Sequence, residues 1–204
     1  MGKAVGVIGA GGWGTALAKL LCEKGDDVTL WCHGEECFRE IQTRRENRPY
    51  LPGIVLPVSL KSTRSLRESV FSKDLLICAV PSHAVREVLE NAAAWVGPQS
   101  LWICGTKGIE EGTFMTMDEV FREVFGSNIK DRLAFISGPN FALEVAQGLP
   151  SATTVAAFTP EVAKEIQAAL STSSLRVYTS EDVIGVQLGG VVKNVIAIAA
   201  GISD

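Results

Sequence analysis

The sequence predicts an α/β protein built on a doubly wound, mostly parallel β-sheet with helices on both faces. Short apolar runs alternate with helical patterns along all 204 residues, which is typical of a parallel sheet covered by helices. Several of the apolar runs end in turns rich in Gly, Pro, Ser and Asn. We find no internal repeat in the sequence, and its length fits one large domain plus a second, partial one.

The beginning of the chain contains the clearest elements. Residues 4–8 predict a first strand, residues 13–24 a first helix stopped by the glycine that follows, and residues 28–31 a second strand. A second helix is expected from about Glu36. Residues 47–53 hold too many Pro, Gly and Asn residues for either element, so we expect a surface loop there.

The later strands are expected to present turns at one edge of the sheet. The apolar runs that predict these strands are residues 75–80, 101–104, 133–136 and 153–157. The first three are followed by the turns at residues 81–83, 105–108 and 137–140. Open α/β sheets bind ligands beyond the carboxyl ends of their strands, so these turns are expected to border a site. Residues 180–182 look like a helix start, which places a domain boundary near residue 180.

Composition excludes several classes of function. Apolar residues make up 47% and charged residues 21% of the chain, with a net charge of -4. This balance argues against general binding of nucleic acid or of an acidic membrane, since both need a basic surface. The five cysteines form no C-x-x-C pair and only two histidines are present, so we expect reduced, packed thiols and no metal site. Reduced thiols and an N-terminus that reads as a strand favour the cytoplasm.

One stretch imitates a membrane span. Residues 183–202 are mostly apolar and about as long as a spanning helix. Lys193 lies near the middle, where a lysine in a bilayer costs roughly 2.5–3.5 kcal/mol. We therefore expect a buried helix of a soluble enzyme and no stable membrane insertion.

The glycine-rich segment after the first strand indicates a dinucleotide site. Gly9, Gly11 and Gly14 occupy the three glycine positions of G-x-G-x-x-G, between the predicted strand and the predicted helix. In a Rossmann-type sheet the first glycine permits a tight turn, the second lets the backbone approach a pyrophosphate, and the third lets the helix pack closely. The amides at the helix N-terminus then face the phosphates.

The choice between NAD and NADP stays open in the sequence. NAD sites usually carry Asp or Glu at the end of the second strand, whereas this chain has Cys32, His33 and Gly34 there. A 2'-phosphate would meet no carboxylate at that point, so NADPH should be accepted, and His33 is either a contact or an exposed loop residue. Glu35 and Glu36 follow closely and leave the preference undecided.

Two lysines are candidates for the chemistry of such a site. Reduction of a ketone needs a proton donor or a fixed positive charge beside the developing alkoxide. Lys107 lies in a strand-end turn, and Lys193 lies among valines and isoleucines of the last helix. Burial among these neighbours would lower the pKa of Lys193 towards a useful range.

Four segments together resemble the NAD(P)-dependent glycerol-3-phosphate dehydrogenases. They are residues 11–17 (GGWGTAL), 106–110 (TKGIE), 137–142 (SGPNFA) and 190–201 (GVVKNVIAIAAG). They occur in the order and at the spacing of that family, over the whole chain. The resemblance implies reversible reduction of dihydroxyacetone phosphate to sn-glycerol 3-phosphate with NADH or NADPH, which supplies glycerol phosphate for phospholipid synthesis.

The resemblance also implies roles for individual residues. Lys193 matches the residue that transfers the proton, and Lys107 matches a lysine that contacts both cofactor and substrate. Gly138 and Asn140 match positions that line the substrate pocket. The implied cofactor contacts are Gly9, Gly11, Gly12, Trp13, Gly14, His33, Tyr50, Lys107 and Ala142.

Two departures from the family pattern stand out. Asn140 occupies a position where Ser or Thr is more usual, although it keeps a hydrogen-bonding side chain. The family continues into an all-helical substrate domain, whereas this sequence ends at Asp204. We therefore expect a dinucleotide-binding domain over residues 1–180 and the truncated start of a helical domain over residues 181–204. An apolar helix left without a partner would favour association, so a homodimer is compatible with the sequence. The alternatives are another two-domain dehydrogenase, of the hydroxyacyl-CoA or 6-phosphogluconate type, and a non-catalytic dinucleotide-binding module.

Overall fold

A computed structural model describes residues 2–203, so Asp204 of the expected second domain lies outside the described residues. The strands are β1 (Ala4–Ile8), β2 (Asp27–Trp31), β3 (Glu46–Asn47), β4 (Leu51–Val55), β5 (Lys61–Thr63), β6 (Leu75–Cys78), β7 (Leu101–Cys104), β8 (Leu133–Ser137), β9 (Ser151–Ala157) and β10 (Leu175–Ser180). The helices are α1 (Gly12–Lys24), α2 (Glu35–Arg44), α3 (Leu66–Val70), α4 (Val85–Ala93), α5 (Met117–Phe125), α6 (Ala142–Ala146), α7 (Pro160–Leu170) and α8 (Val183–Ser203).

Eight of the strands form one sheet in the order β10-β9-β8-β7-β6-β1-β2-β5. All neighbouring pairs are parallel except β8 and β9, which are antiparallel. The chain leaves β1 towards β2 on one side and returns to β6 on the other, so the strand order reverses between β1 and β6. Open α/β sheets bind their ligands at this kind of position. The predicted mostly parallel, doubly wound Rossmann-type sheet is confirmed.

Helices cover both faces of the sheet and bury two apolar layers. One layer packs α1, α2 and α7 onto the sheet, with Leu17, Ile41 and Ile166 fully buried in it. The other packs α4 and α5, with Leu89 and Phe121 fully buried. Because both faces are covered, the inner strands are apolar on both sides, which explains their unbroken apolar runs. The five cysteines are buried and free, as expected for packed thiols.

The predicted boundaries agree closely with the structure where the local signals are strong. The first strand and the strand at residues 101–104 have the predicted limits. The first helix ends where Gly25 adopts a left-handed conformation, with φ of 103°. Glycine takes this conformation without steric cost and is common just after a helix. The strand predicted at residues 75–80 ends earlier, at Cys78.

The surface loop predicted for residues 47–53 is wrong. This stretch belongs to an antiparallel pair formed by β3 and β4. Asn47 is fully buried and its amide donates to the Ala10 carbonyl at 2.8 Å and to the Thr15 hydroxyl at 2.7 Å. Residues that break a long strand are tolerated here because the pair is short and separate from the main sheet. The strands β5 and β10 were not identified from the sequence.

The last helix has the predicted length but is not buried as expected. Val183 and Gly190 are its buried residues, whereas Val195 is 68% exposed and Ile202 80% exposed. The first half of α8 packs against the ends of β8 and β9. No other element within residues 2–203 covers its second half.

Candidate functional site

A cleft of about 1020 Å³ opens at the carboxyl ends of β1 and β6, where the strand order reverses. The residues singled out in the sequence that line it are Gly9, Gly11, Gly12, Trp13, His33, Tyr50, Lys107, Asn140 and Ala142. Gly14, Gly138 and Lys193 are not among the lining residues. The fold thus gathers most of the predicted cofactor residues in a single cleft.

The glycine turn forms the floor of the cleft and each glycine has a separate structural reason. Gly9 has φ of 111°, and a Cβ there would lie 2.8 Å from the Ala79 carbonyl oxygen. A Cβ at Gly14 would lie 2.0 Å from the Gly9 carbonyl oxygen, so this position allows α1 to approach β1. At Gly11, by contrast, no described atom lies within 4 Å of the Cβ position. The backbone at Gly11 is therefore open to a ligand.

The β3–β4 pair supports this turn from one side. The side chain of Asn47 ties β3 to the Ala10 carbonyl within the turn. Tyr50, in the connection between the two strands, is 59% exposed and lines the cleft. Its carbonyl oxygen would lie 2.9 Å from a Cβ at Gly12. The pair thus places Tyr50 over the start of α1.

The opposite end of the cleft lies beyond β2. His33 and Gly34 are exposed and line this end. The His33 ring packs edge-on against Trp31, with 5.6 Å between ring centroids. In dinucleotide-binding sheets this end receives the ribose of the adenosine.

Lys107 lies in the loop after β7, at the other end of the cleft. Its ammonium donates to the Gly138 carbonyl oxygen at 3.4 Å. The loop is held by Arg86 of α4, whose Nε and Nη2 each lie 2.8 Å from a carboxylate oxygen of Glu110. Partial loss of surrounding water, followed by the positive charge of Lys193, lowers the pKa of Lys107.

The turn after β8 lies beside Lys107. The side chain of Asn140 donates to the Ala152 carbonyl oxygen at 2.7 Å. A Cβ at Gly138 would lie 2.7 Å from Asn140 Oδ1 and 3.0 Å from that same carbonyl. The lack of a side chain at Gly138 therefore leaves room for the contact between Asn140 and Ala152. The Gly138 carbonyl oxygen points to Lys107.

Helix α8 brings Lys193 to the same region. A Cβ at Gly190 would lie 2.9 Å from Ser137 Oγ and 3.7 Å from Lys107 Cγ, so the helix passes directly over this corner. Lys193 lies three residues further on, on the same face of the helix. The structure thus brings together the two lysines that the sequence singled out.

The expectation that Lys193 is buried among aliphatic side chains is wrong for the described residues. Lys193 is exposed, and its ammonium donates to Asn194 Oδ1 at 2.7 Å. Its neighbours Val192 and Val195 are themselves 43% and 68% exposed. The reason is that α8 contacts the sheet only through its first half.

Several cleft residues were given no individual role from the sequence, although the turns at residues 81–83 and 105–108 were expected to border a site. They are Ala10, Trp31, Gly34, Cys37, Leu66, Ala79, Val80, Pro81, His83, Ala84, Glu87, Val88, Asn91, Gly105, Thr106 and Phe141. Pro81 and His83 lie in the turn after β6, as expected from its position beyond a strand end. Leu66 and Asn91 carried no signal, because each is brought to the cleft by the packing of a helix.

Comparison with known proteins gives one consistent family. A family model described as NAD-dependent glycerol-3-phosphate dehydrogenase N-terminus matches residues 4–173, and the corresponding C-terminus model matches residues 182–204. A glycerol-3-phosphate dehydrogenase (NAD(P)+) of Geobacter sp. (strain M21) is 45% identical over 204 residues, which are 100% of this chain and 61% of that protein. One of Anaeromyxobacter dehalogenans is 48% identical over 198 residues, which are 97% of this chain and 60% of that protein.

A solved structure agrees. The crystal structure of glycerol-3-phosphate dehydrogenase from Coxiella burnetii superposes with a TM-score of 0.90 at 36% identity, covering 100% of this chain and 61% of that one. The chain thus spans about three fifths of the length of the relatives it matches. With the N-terminal family model matching most of the sequence, the chain belongs to the NAD-dependent glycerol-3-phosphate dehydrogenase family.

Proposed function

We propose that the protein reversibly reduces dihydroxyacetone phosphate to sn-glycerol 3-phosphate with NADH or NADPH, and so supplies glycerol phosphate for phospholipid synthesis. The observation that carries the proposal is the placement of Lys107 and α8 at one end of a cleft whose floor is the glycine turn. Relatives with this name share 45–48% of their residues with the chain.

The cleft fits a dinucleotide. The open space at Gly11 lets a diphosphate approach the backbone at the N-terminus of α1, where free amides and the helix dipole favour negative charge. The Trp13 indole nitrogen is buried and has no hydrogen-bond partner among the described residues. A bound NAD or NADP supplies the hydride, and its remaining contacts would come from Gly9, Gly12, Gly14, His33, Tyr50 and Ala142.

The two lysines would serve the substrate end. A phosphorylated ketone carries negative charge that Lys107 can balance, with Gly138 and Asn140 shaping the same corner. Reduction of the carbonyl requires one proton at its oxygen. We assign this proton to the ammonium of Lys193, with Lys107 holding the oxygen and the phosphate in place. Loss of surrounding water, followed by the charge of Lys193, lowers the pKa of Lys107.

Binding and turnover should be tested separately. Titration of the chain with NADH or NADPH should quench the fluorescence of Trp13 and Trp31, since both line the cleft. Turnover is then followed by loss of the reduced nicotinamide absorbance after addition of dihydroxyacetone phosphate. Absence of binding of either dinucleotide at millimolar concentration would contradict the proposal.

Variants separate the roles of the lysines. Lys193→Met should keep dinucleotide affinity within about twofold and lower turnover at least a hundredfold, an effect on the order of that of a general acid. Lys107→Met should weaken both binding and turnover. Lys164→Met, at an exposed position on α7, is the matched control and should change neither.

Two alternatives make different predictions for the same variants. A non-catalytic dinucleotide-binding module would bind NADH or NADPH without turning over dihydroxyacetone phosphate. A dehydrogenase of the hydroxyacyl-CoA or 6-phosphogluconate type would oxidise NADH with its own substrate instead. The match of the C-terminal family model to residues 182–204, which contain Lys193, favours the glycerol phosphate assignment.

We also propose that protein, and not lipid, covers the exposed face of α8, in a cytoplasmic enzyme with a homodimer as the expected assembly. The helix is long and apolar enough to cross a membrane, and 17% of its most apolar stretch is buried. The charge of Lys193 near its middle opposes insertion. Membrane flotation should leave the protein unbound, and sedimentation equilibrium should give its assembly state.

A further inference from the structure

The end of the cleft beyond β2 has a second chain segment beside it. Strand β5 pairs in parallel with β2, with Trp31 opposite Thr63. The Cys32 amide donates to the Thr63 carbonyl at 2.9 Å, and the Trp31 indole donates to the Arg64 carbonyl at 3.1 Å. The backbone of Arg64 is therefore fixed next to the segment that continues into His33.

The Arg64 side chain is paired with α2 close to this end of the cleft, where Gly34 and Leu66 are lining residues. Its guanidinium donates to the carboxylate of Glu35, the first residue of α2. Arg39 of the same helix lies 3.8 Å from the other carboxylate oxygen. Two guanidinium groups thus lie near the carboxylate of Glu35, the residue that follows Gly34.

These side chains can exchange partners at little cost. Those of Arg64 and Glu35 are 50% and 52% exposed, and that of Arg39 is 69% exposed. Exposed ion pairs contribute little to stability, and an arginine can donate two parallel hydrogen bonds to a phosphate as it can to a carboxylate. A phosphate monoester carries more negative charge than the carboxylate of Glu35, so it can replace Glu35 as the partner of Arg64.

Sites for NAD and NADP differ at this position. In NAD sites, a free carboxylate at the end of the second strand accepts hydrogen bonds from the ribose hydroxyls. In NADP sites, a nearby arginine binds the 2'-phosphate. In this chain the nearby carboxylate is already held by Arg64, with Arg39 close by. The arrangement is that of a phosphate site in which the carboxylate of Glu35 occupies the place of the phosphate.

We propose that Arg64 forms a subsite for the 2'-phosphate of NADPH, with Glu35 as its partner in the empty cleft, and that it makes NADPH the preferred dinucleotide. The inference rests on the proposed function, because it requires that the cleft bind a dinucleotide. It assigns a role to Arg64, a residue outside both the glycine turn and β2. Arg64 would distinguish NADPH from NADH, which differ only in the 2'-phosphate.

The test compares dissociation constants for NADPH and NADH, read from quenching of Trp13 and Trp31. Arg64→Gln should weaken NADPH roughly tenfold, as expected for loss of a charged hydrogen bond, and leave NADH within about twofold. Glu35→Gln frees Arg64 and should strengthen NADPH severalfold. Arg176→Gln, on the strand at the opposite edge of the sheet, is the control and should change neither affinity.

A competition experiment gives a second readout. Adenosine 2',5'-bisphosphate should displace the bound dinucleotide better than ADP in the parent chain, and this advantage should disappear in Arg64→Gln.

The inference is overturned if Arg64→Gln leaves the ratio of NADPH to NADH affinity unchanged. It is equally overturned if Glu35→Gln weakens NADH while NADPH is unaffected, because Glu35 would then hold the ribose. If neither dinucleotide binds the parent chain, the proposed function fails and this inference with it.

Discussion

At the scale of single residues, Gly11 and Gly14 belong to one motif but do different work. A methyl group at Gly14 would meet the backbone of Gly9, whereas one at Gly11 would meet open space in the cleft. Gly14 is therefore needed for packing, and Gly11 for the approach of a ligand. A substitution at each position should separate stability from binding.

We expect Gly14→Ala to lower the free energy of unfolding by about 1–3 kcal/mol, because the backbone must move to relieve overpacking. Gly11→Ala should change stability by less than about 1 kcal/mol and weaken NADH or NADPH binding, because the methyl group occupies the space above the backbone. Thermal denaturation and fluorescence titration of both variants test this. A stable Gly14→Ala with weak binding, or an unstable Gly11→Ala, would contradict it.

A second prediction at this scale concerns the two lysines. The pKa of Lys107 is lowered by loss of water and then by the charge of Lys193. Removing a positive neighbour favours the protonated amine, so Lys193→Met should raise the pKa of Lys107, while Lys193→Arg should leave it low. Competitive acetylation of Lys107 at a series of pH values, followed by mass spectrometry, measures this. An unchanged pKa in Lys193→Met would mean that the two amines are not close in solution.

At the scale of elements, the loop after β7 is anchored to α4 by the pair of Arg86 and Glu110. The Glu110 side chain is 11% exposed and that of Arg86 27% exposed. Hydrogen bonds from Arg86, and then from Thr113, lower the pKa of Glu110. The pair fixes the loop that carries Lys107 to a helix lining the same cleft.

The lowered pKa gives a stability prediction with a definite sign. Unfolded Glu110 has its ordinary pKa near 4.5, so its contribution is complete above that pH and is lost as pH falls through the lower folded value. Glu110→Gln should cost about 1–2 kcal/mol at neutral pH, and the cost should shrink on acidification. Urea denaturation at neutral and acidic pH tests this, with Glu161→Gln on the exposed surface of α7 as control. A cost independent of pH would contradict the assignment.

At the scale of the whole molecule, a polar contact with α5 contributes to the position of α8. Gln187 Nε2 lies 3.2 Å from Asp118 Oδ1, and the Asp118 amide donates to Gln187 Oε1 at 3.2 Å. Asp118 is 1% exposed and is also bound by Arg122 at 2.7 Å. This contact helps to fix the first half of α8, which also packs against β8 and β9.

Gln187→Ala should therefore loosen α8 without unfolding the sheet. We expect faster amide hydrogen exchange in residues 183–203, and a rise in the pKa of Lys107 as Lys193 moves away. Leu188→Ala, a neighbouring residue that is 43% exposed, should leave both unchanged. Global stability should fall by less than about 1–2 kcal/mol, the range of a single side-chain hydrogen bond. Unchanged exchange in α8 would show that its apolar contacts suffice.

The sequence by itself determined the βαβ start of the fold, the glycine turn and the apolar strands, because their signals are local: a glycine with positive φ, a close helix approach, an unbroken apolar run. Tertiary structure decided the rest. The β3–β4 pair is stabilised by Asn47 contacting a turn distant in sequence, and Arg64 reaches Glu35 only through the pairing of β5 with β2. Lys107 and Lys193 meet because α8 crosses the end of β8, and such contacts depend on sheet order and helix docking, which no local pattern of residues encodes.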